Sequence, residues 1–169
     1  MINYRLINDY VSKKSGLSRV IQYSGKAITT LTVILYIGLL IYIGIHDGAR
    51  LLCKNILITA GCFIGLSIFR KKLNMPRPYE VYNFTPIINK DTKGKSFPSR
   101  HVFSIFLIAV AYFYYGGIFS YIAIFIAIIG VFLSIIRVVG CVHFLKDVIA
   151  GALSAIIMGV ICYTFIDIL

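Results

Sequence analysis

The stretch that decides the fold is AITTLTVILYIGLLIYIGI, residues 27–45, which contains 19 residues and no charged side chain. An apolar run of about 20 residues is long enough to cross the hydrocarbon core of a bilayer as a helix. The rest of the chain has the same character, since 59% of its 169 residues are hydrophobic and only 14% are charged. This composition lies well above that of an average soluble domain and indicates a membrane protein.

Four further apolar runs follow the first one and approach the length needed to span a bilayer. They are Leu51–Phe69, Val102–Phe119, Tyr121–Ile136 and Val148–Ile166. Gly116 and Gly117 near the end of the third run permit a tight helical hairpin. The sequence therefore predicts an all-α, polytopic membrane helix bundle of five transmembrane helices, forming a single domain over residues 1–169.

The segment before the first apolar run, residues 1–26, is mixed and basic. Leu6, Ile7, Tyr10 and Val11 recur at helical spacing beside Arg5 and two lysines. This pattern predicts an amphipathic helix that lies on the membrane surface. The alternative is a loose basic tail.

The net charge of +11 restricts the class of partner. In a soluble protein such a charge would point to nucleic acid. Here the basic residues cluster in short stretches between apolar runs, where anionic lipid headgroups attract them. We therefore expect a lipid bilayer as the partner and no nucleic acid.

The four cysteines are Cys53, Cys62, Cys141 and Cys162. They lie in or near apolar runs and lack the paired spacing of a zinc site or a disulfide framework. We interpret them as small core residues, and no metal site is predicted.

One long polar segment, Arg70–Arg100, interrupts the apolar pattern. It contains all four prolines of the chain and eight lysine or arginine residues. A loop of this length in a small protein is usually functional or disordered. The Pro76-Arg77-Pro78 frame would hold Arg77 in a rigid, extended backbone, which favours a shaped active-site loop over residues 70–100.

A first chemical cluster consists of Arg137, His143 and Asp147. His143 and Asp147 are four residues apart, which would place them on one face of a helix, one turn apart. The carboxylate can then hold the imidazole in one tautomer and leave its other nitrogen free to attack. A turn at Gly140 would return the Arg137 guanidinium to the same place, where it can bind phosphate oxygens. The alternative is a solvated His and Asp at the edge of the membrane.

A second cluster is Pro98-Ser99-Arg100-His101, just before the third apolar run. Ser99 is a candidate N-cap, and the helix start beyond it offers free backbone N–H groups to an anion. His101 in the first turn can protonate a leaving oxygen. An N-cap with an exposed histidine is the alternative interpretation.

Together the three clusters resemble the type 2 phosphatidic acid phosphatase (PAP2) family, which is related to vanadium haloperoxidases. The matching motifs are Arg77-Pro78, then Pro98-Ser99-Arg100-His101, then Arg137 with His143 and Asp147, and the resemblance covers about Leu51 to Ile166. The chain departs from the family at two positions. Arg70 stands where the family has lysine, with Lys71 beside it as a possible substitute, and Ile136 stands where the family has serine.

The resemblance implies a role for each of these residues. His143 would be the nucleophile that forms a phosphohistidine, Asp147 would orient it, and His101 would protonate the leaving group. The phosphate would be held by a set of cations and backbone N–H groups. This set comprises Arg70 or Lys71, Arg77 and Arg137, with N–H groups near Ser99 and Arg100. No metal and no cofactor are expected in this mechanism.

The implied function is that of an integral membrane lipid phosphatase, and the identity of the lipid stays open. Candidate substrates are an isoprenyl diphosphate such as undecaprenyl diphosphate, phosphatidylglycerophosphate, phosphatidic acid and lipid A phosphate. The preference between monophosphate and diphosphate is not decided. The alternatives are a lipid phosphotransferase or a vanadate-holding haloperoxidase on the same scaffold, and a non-enzymatic transporter or assembly protein.

The predicted location is the plasma membrane, which the chain would cross several times. Five spans would put the amino terminus and all three motifs on one face, together with 15 of the 17 lysine and arginine residues. The positive-inside rule would make that face cytoplasmic, whereas most bacterial members of the family face outward. We favour the outward face for the active site, and the oligomeric state is left open.

Overall fold

The computed structural model describes residues 2–90 and 92–166, and within these ranges the chain forms seven helices and no strand. The helices are α1 (Tyr4–Ser12), α2 (Ser15–His46), α3 (Gly48–Leu73), α4 (Pro78–Val81), α5 (Arg100–Tyr115), α6 (Phe119–Val139) and α7 (Leu145–Phe165). The predicted all-α bundle is therefore confirmed.

The helix that contains residues 27–45 begins much earlier than predicted. It starts at Ser15 and continues without a break for 32 residues, which corresponds to a length of about 48 Å. Only the apolar part has to lie in the hydrocarbon core, so a helix that projects beyond the bilayer can carry polar residues such as Arg19 and Lys26. The predicted surface helix over residues 1–26 is thus wrong for its second half.

The first half of that segment forms the short helix α1, which packs on the protein. Its buried residues are Tyr4, Asn8 and Val11, one helical turn apart, while Leu6 and Tyr10 are exposed. The hydroxyl of Tyr4 accepts a hydrogen bond from the Leu145 amide at 2.9 Å. Helix α1 therefore braces the start of α7.

Helix α5 is the centre of the bundle and packs against α2, α3, α6 and α7. Half of its 16 residues are buried, among them Phe103 and Ile105. It ends at Tyr115 and not at the predicted Phe119, because Gly116 and Gly117 adopt positive φ angles of 84° and 57°. These glycines turn the chain into α6, as the predicted hairpin required.

The outer helices present apolar side chains to their surroundings. Within the described residues, four helical stretches are long and apolar enough to cross a membrane, namely those that contain α2, α3, α6 and α7. Large exposed residues such as Ile34, Phe132 and Ile157 cover their outer faces, as expected for contact with lipid. Helix α5, which the other helices surround, is shorter, at about 24 Å for 16 residues. The chain is a multi-pass membrane protein.

Close packing between α5 and α7 joins the two segments that carry the predicted chemistry. A Cβ atom on Gly151 would lie 2.7 Å from the carbonyl oxygen of Ser99, so only glycine permits this approach. The Ser99 amide donates a hydrogen bond to the Asp147 carbonyl oxygen at 2.8 Å. The start of α5 is thereby fixed beside the first turn of α7.

Candidate active site

A cavity of about 200 Å³ lies where the loop between α3 and α5 meets the loop between α6 and α7. Its lining is strongly cationic and includes two histidines. The lining residues are Ser67, Arg70, Arg77, Lys90, Thr92, Lys95, Arg100, His101 and His143. The three sequence clusters thus meet at one end of the bundle.

The contact between His143 and Asp147 forms, but not on a helix as predicted. His143 lies two residues before α7 begins at Leu145, and its Nδ1 is 3.4 Å from Asp147 Oδ2. Asp147 is in the first turn of α7, where its Oδ2 accepts the Phe144 amide at 2.9 Å. This capping bond bends the chain so that His143 folds back over the carboxylate.

The chain turn before His143 links it to Arg137. Cys141 has a positive φ angle of 57°, and the amides of Val142 and His143 both donate to the Arg137 carbonyl oxygen at 3.3 Å. A Cβ atom on Gly140 would meet Ile88 Cδ1 at 2.5 Å. The turn therefore packs tightly against the α3–α5 loop, which fixes the backbone that carries His143.

The Asp147 carboxylate is fully buried, and two hydrogen bonds reach its Oδ2. Besides the Phe144 amide, its Oδ2 accepts the Ser96 hydroxyl at 2.5 Å. Such donors stabilise the charged form of a carboxylate. Asp147 is thereby held as an anion against the Nδ1 side of His143, which leaves Nε2 for the cavity that His143 lines.

His143 is 1% exposed, and this burial determines its protonation. Burial, assisted by the charges of Arg77 and Arg70, lowers the pKa of His143 to about 4, although Asp147 acts in the opposite direction. The imidazole is therefore neutral near pH 7. A neutral imidazole has the free electron pair that a nucleophile needs.

Arg77 is buried and joins both loops. Its Nε donates to the Gly94 carbonyl oxygen at 3.0 Å, and its Nη1 donates to the Val142 carbonyl oxygen at 3.0 Å. The Glu80 carboxylate accepts the Arg77 amide at 2.8 Å. The Pro-Arg-Pro segment thus ends at α4 and directs the Arg77 guanidinium into the cavity, as the predicted rigid loop requires.

The structure distinguishes Arg70 from its neighbour Lys71. Arg70 is buried, lines the cavity and donates from Nη2 to the Lys95 carbonyl oxygen. Lys71 is exposed and does not line the cavity. Of the two residues, Arg70 is therefore the one that lies at the cavity, and the role of either in phosphate binding stays a prediction.

The residues at the start of α5 divide into two groups. His101 and Arg100 line the cavity as expected. Ser99 occupies the N-cap position, but its side chain makes no capping bond and is fully buried. The Ser99 amide donates to the Asp147 carbonyl, so the backbone N–H groups after it are the ones that remain available. The Ser99 hydroxyl has no hydrogen-bond partner among the described residues.

Sequence reasoning missed Lys90 and Ser96. Lys90 lines the cavity, where burial and the charges of Arg77 and Arg137 lower the pKa of Lys90 to about 8. The loop around it has no periodicity from which its direction could be read. Ser96 contacts Asp147, which lies 51 residues later in the sequence, and no local sequence pattern predicts such a contact.

An apolar groove continues from the cavity into the bundle. A space of about 250 Å³ shares Arg100 and His101 with the cavity, and otherwise has mainly apolar walls from α2, α3, α5 and α6. It shares Phe63, Ser104 and Ile108 with a further space of about 360 Å³ between α2, α3 and α5. The charged cavity therefore opens towards a path suited to a hydrocarbon chain.

This arrangement can bind an oxyanion and attack it. Arginine guanidinium groups match phosphate oxygens in a bidentate manner, and three of them line the cavity with Lys90, His101 and His143. Within residues 2–90 and 92–166, no three or more His, Cys, Asp or Glu side chains are grouped as a metal site would require.

The chain is similar to known proteins in its family pattern and in its fold. A family model described as PAP2 superfamily matches residues 51–168. LpxE from Aquifex aeolicus aligns with a TM-score of 0.71 at 22% identity, over 96% of this chain and 93% of that chain. A PAP2 type phosphatidylglycerolphosphate phosphatase from Bacillus subtilis aligns with a TM-score of 0.72 at 19% identity, over 96% and 83%. No curated protein matches significantly.

Proposed function

Because the chain belongs to the PAP2 superfamily, we propose that it is a membrane phosphatase that hydrolyses a lipid phosphate or diphosphate through a phosphohistidine. The observation that carries this proposal is the cavity in which Arg70, Arg77 and His143 meet His101. Arg77, His101 and His143 match the family motifs, and Arg70 stands at the position where the family has lysine. The relatives of known structure share the fold, and one of them is described as a phosphatase.

In the proposed first step, His143 Nε2 forms a bond to phosphorus while the bond to the leaving oxygen breaks. His101 donates a proton to that oxygen. Asp147, 3.4 Å from His143 Nδ1, balances the positive charge that develops on the imidazole. The arginines hold the equatorial oxygens, where preorganised donors lower the barrier most.

In the second step, a water oxygen attacks the phosphorus of the phosphohistidine and the phosphorus–nitrogen bond breaks. His101, now neutral, accepts the proton of this water. The products are inorganic phosphate and the dephosphorylated lipid, and both histidines return to their initial state. No metal is required by this scheme, because the cationic side chains supply the charge that metal ions supply in other phosphatases.

The apolar groove supports a lipid substrate. It meets the charged cavity at His101, which is the side of the leaving oxygen in the proposed step. A lipid whose phosphate occupies the cavity would place its tail in the groove between α2, α3 and α5. Because such a tail already lies in the hydrocarbon of the bilayer, packing in the groove and not removal from water would favour its binding there.

The cellular location and the orientation of the active site follow from the same resemblance. We propose the plasma membrane, with the active site on the outer face, by resemblance to the bacterial family. The distribution of basic residues opposes this orientation, since the helices that cross the bundle place residues 15–26 on the same face as the active site.

The experiment that tests the function is release of inorganic phosphate by the detergent-purified full chain with EDTA present. The panel contains an isoprenyl diphosphate, phosphatidylglycerophosphate, phosphatidic acid and a lipid A phosphate. We expect release from at least one lipid, unchanged by EDTA. Loss of the activity with EDTA would contradict the metal-independent mechanism, and transfer of phosphate to an added lipid alcohol without free phosphate would indicate a phosphotransferase.

The adjacent residues Arg70 and Lys71 provide a matched pair of variants. We expect Arg70→Ala to lower kcat/KM by about 10²-fold, which is typical for the loss of one donor to the transition state. Lys71→Ala should change it less than about twofold, because an exposed cation outside the cavity contributes little. Steady-state kinetics on the best lipid of the panel measures both, and equal losses would contradict the assignment of Arg70.

A further inference from the structure

The apolar groove beside the active site consists of two spaces that meet at a neck. The upper space, of about 250 Å³, borders the charged cavity at Arg100 and His101. The lower space, of about 360 Å³, continues between α2 and α3 as far as Leu40 and Ile56. Three residues line both spaces and form the neck, namely Phe63, Ser104 and Ile108. A chain that runs from the cavity into the lower space therefore passes the ring of Phe63.

The hydroxyl groups along the groove already take part in hydrogen bonds. Those of Thr29, Thr32 and Ser104 donate to the carbonyl oxygen four residues earlier in the same helix, at 2.8, 2.8 and 2.9 Å. The hydroxyls of Tyr36 and Thr59 bond to each other across α2 and α3. A sugar or another polar ligand would need donors that these walls have already used, and burial of unpaired polar groups is costly. The groove therefore fits a hydrocarbon chain.

The depth of the groove corresponds to a length of hydrocarbon. His101 and Ile108 are seven residues apart on α5, so the far side of the neck lies about 10 Å along the helix from His101. Thr29 and Leu40 are eleven residues apart on α2, so the two spaces together extend about 16 Å. An extended chain advances about 1.2 Å per bond. A butyl tail therefore ends above the far side of the neck, whereas a dodecyl tail extends through it into the lower space.

Phe63 also contacts a residue of the charged cavity. The guanidinium carbon of Arg100, which lines that cavity, lies 5.4 Å from the centre of the Phe63 ring. A cation over an aromatic ring at this distance is attracted to it. Removal of the ring would therefore disturb Arg100 as well as the neck. A tryptophan in its place keeps an aromatic face for Arg100 and adds volume to the neck, which separates the two roles.

We propose that Phe63 determines which tail lengths the enzyme prefers, because its ring bounds the neck through which a single hydrocarbon tail enters the lower space. This inference rests on the proposed function, in which the phosphate lies in the cavity and the tail lies in the groove. A tail that passes the neck gains close packing against α2, α3 and α5 in the lower space, and a tail that ends above the neck does not. Because a lipid tail leaves equally apolar surroundings, this difference in packing sets the preference.

The test is phosphate release from butyl, dodecyl and hexadecyl phosphate by detergent-purified full-length protein in mixed micelles. For Phe63→Trp we expect kcat/KM to fall about tenfold on the two long substrates, since extra volume in a filled space carries a penalty of this order. On butyl phosphate it should change less than about twofold. Each substrate is compared between variants in the same micelles, so its partition into detergent cancels. Phe69→Trp is the matched control, because Phe69 is exposed on α3 and lines neither space.

Several outcomes would overturn this role of Phe63. Equal losses on all three substrates would mean that Phe63 acts through Arg100, and unchanged kinetics, or the same loss in Phe69→Trp, would mean that the tail does not pass the neck. Wild-type protein that hydrolyses butyl phosphate better than dodecyl phosphate, or a lipid of the panel but no alkyl phosphate, would also contradict the proposal. If the wild-type protein releases phosphate from none of these substrates and from no lipid of the panel, the proposed function itself fails, and this inference with it.

Discussion

His143→Ala is expected to lower phosphate release by roughly 10⁴-fold or more, the largest effect of any single substitution. Loss of a nucleophile has effects of this order in enzymes that form covalent intermediates. His143 lines the cavity while its Nδ1 faces Asp147, and no other histidine has this arrangement. The variant should also fail to form any phosphoenzyme, which rapid quenching with labelled substrate measures directly.

His46→Ala is the control for this substitution. The chain has three histidines, and His46 lies at the end of α2, at the opposite end of the bundle from the cavity. We expect it to retain activity within about twofold, as is usual for a substitution away from a site. A phosphoenzyme that is stable in acid and labile in alkali would contradict a phosphohistidine. Activity of His143→Ala near the wild-type level would show that His143 is not the nucleophile.

The positions of the helices could be predicted where the thickness of the bilayer sets their length and composition. The apolar runs locate α3, α6 and α7 within a few residues, because a spanning helix must keep its charges out of the hydrocarbon. The same reasoning misplaces the start of α2, since nothing in the bilayer limits a helix that continues into the headgroups. It also extends α5 beyond Tyr115, because hydropathy does not register the positive φ angles of Gly116 and Gly117.

The chemistry of the site was predictable where it depends on short spacing and not where it depends on tertiary contact. The spacing of His143 and Asp147 predicts their contact, although the contact arises from a capped helix start and not from a helical turn. Lys90 and Ser96 reach the site from an irregular loop. Ser96 is oriented by its hydrogen bond to Asp147, 51 positions away, and Lys90 lies near arginines from three other parts of the chain. Local sequence does not encode such neighbours.

A cavity beside the start of α5 illustrates the same limit in a different way. Lys26 and Thr29 are ordinary residues at a membrane edge when the sequence alone is considered. They line this cavity together with His101, because α2 begins well before its apolar run. Neither residue lies in the range 51–168 that the family model matches.

Asp147→Asn is expected to lower kcat by about 10³- to 10⁴-fold, as is found when a buried aspartate that orients a catalytic histidine becomes asparagine. The amide oxygen can still accept the Phe144 amide, so the helix start should persist. The substitution removes the negative charge that stabilises the positively charged imidazole of His143 when His143 attacks phosphorus. The rate of phosphoenzyme formation should fall accordingly, while inhibition by inorganic phosphate should be unchanged, because the arginines remain.

Glu80→Gln is the matched control, since Glu80 is a second carboxylate that caps a helix start. It accepts the amides of Arg77 at 2.8 Å and of Gly94 at 3.0 Å, but it contacts no imidazole. If the carboxylates mattered only as caps, both variants would lose activity to the same degree. A loss confined to Asp147→Asn, with phosphate inhibition preserved in both variants, would assign the effect to the carboxylate beside His143, because Glu80 caps a helix start without contacting an imidazole.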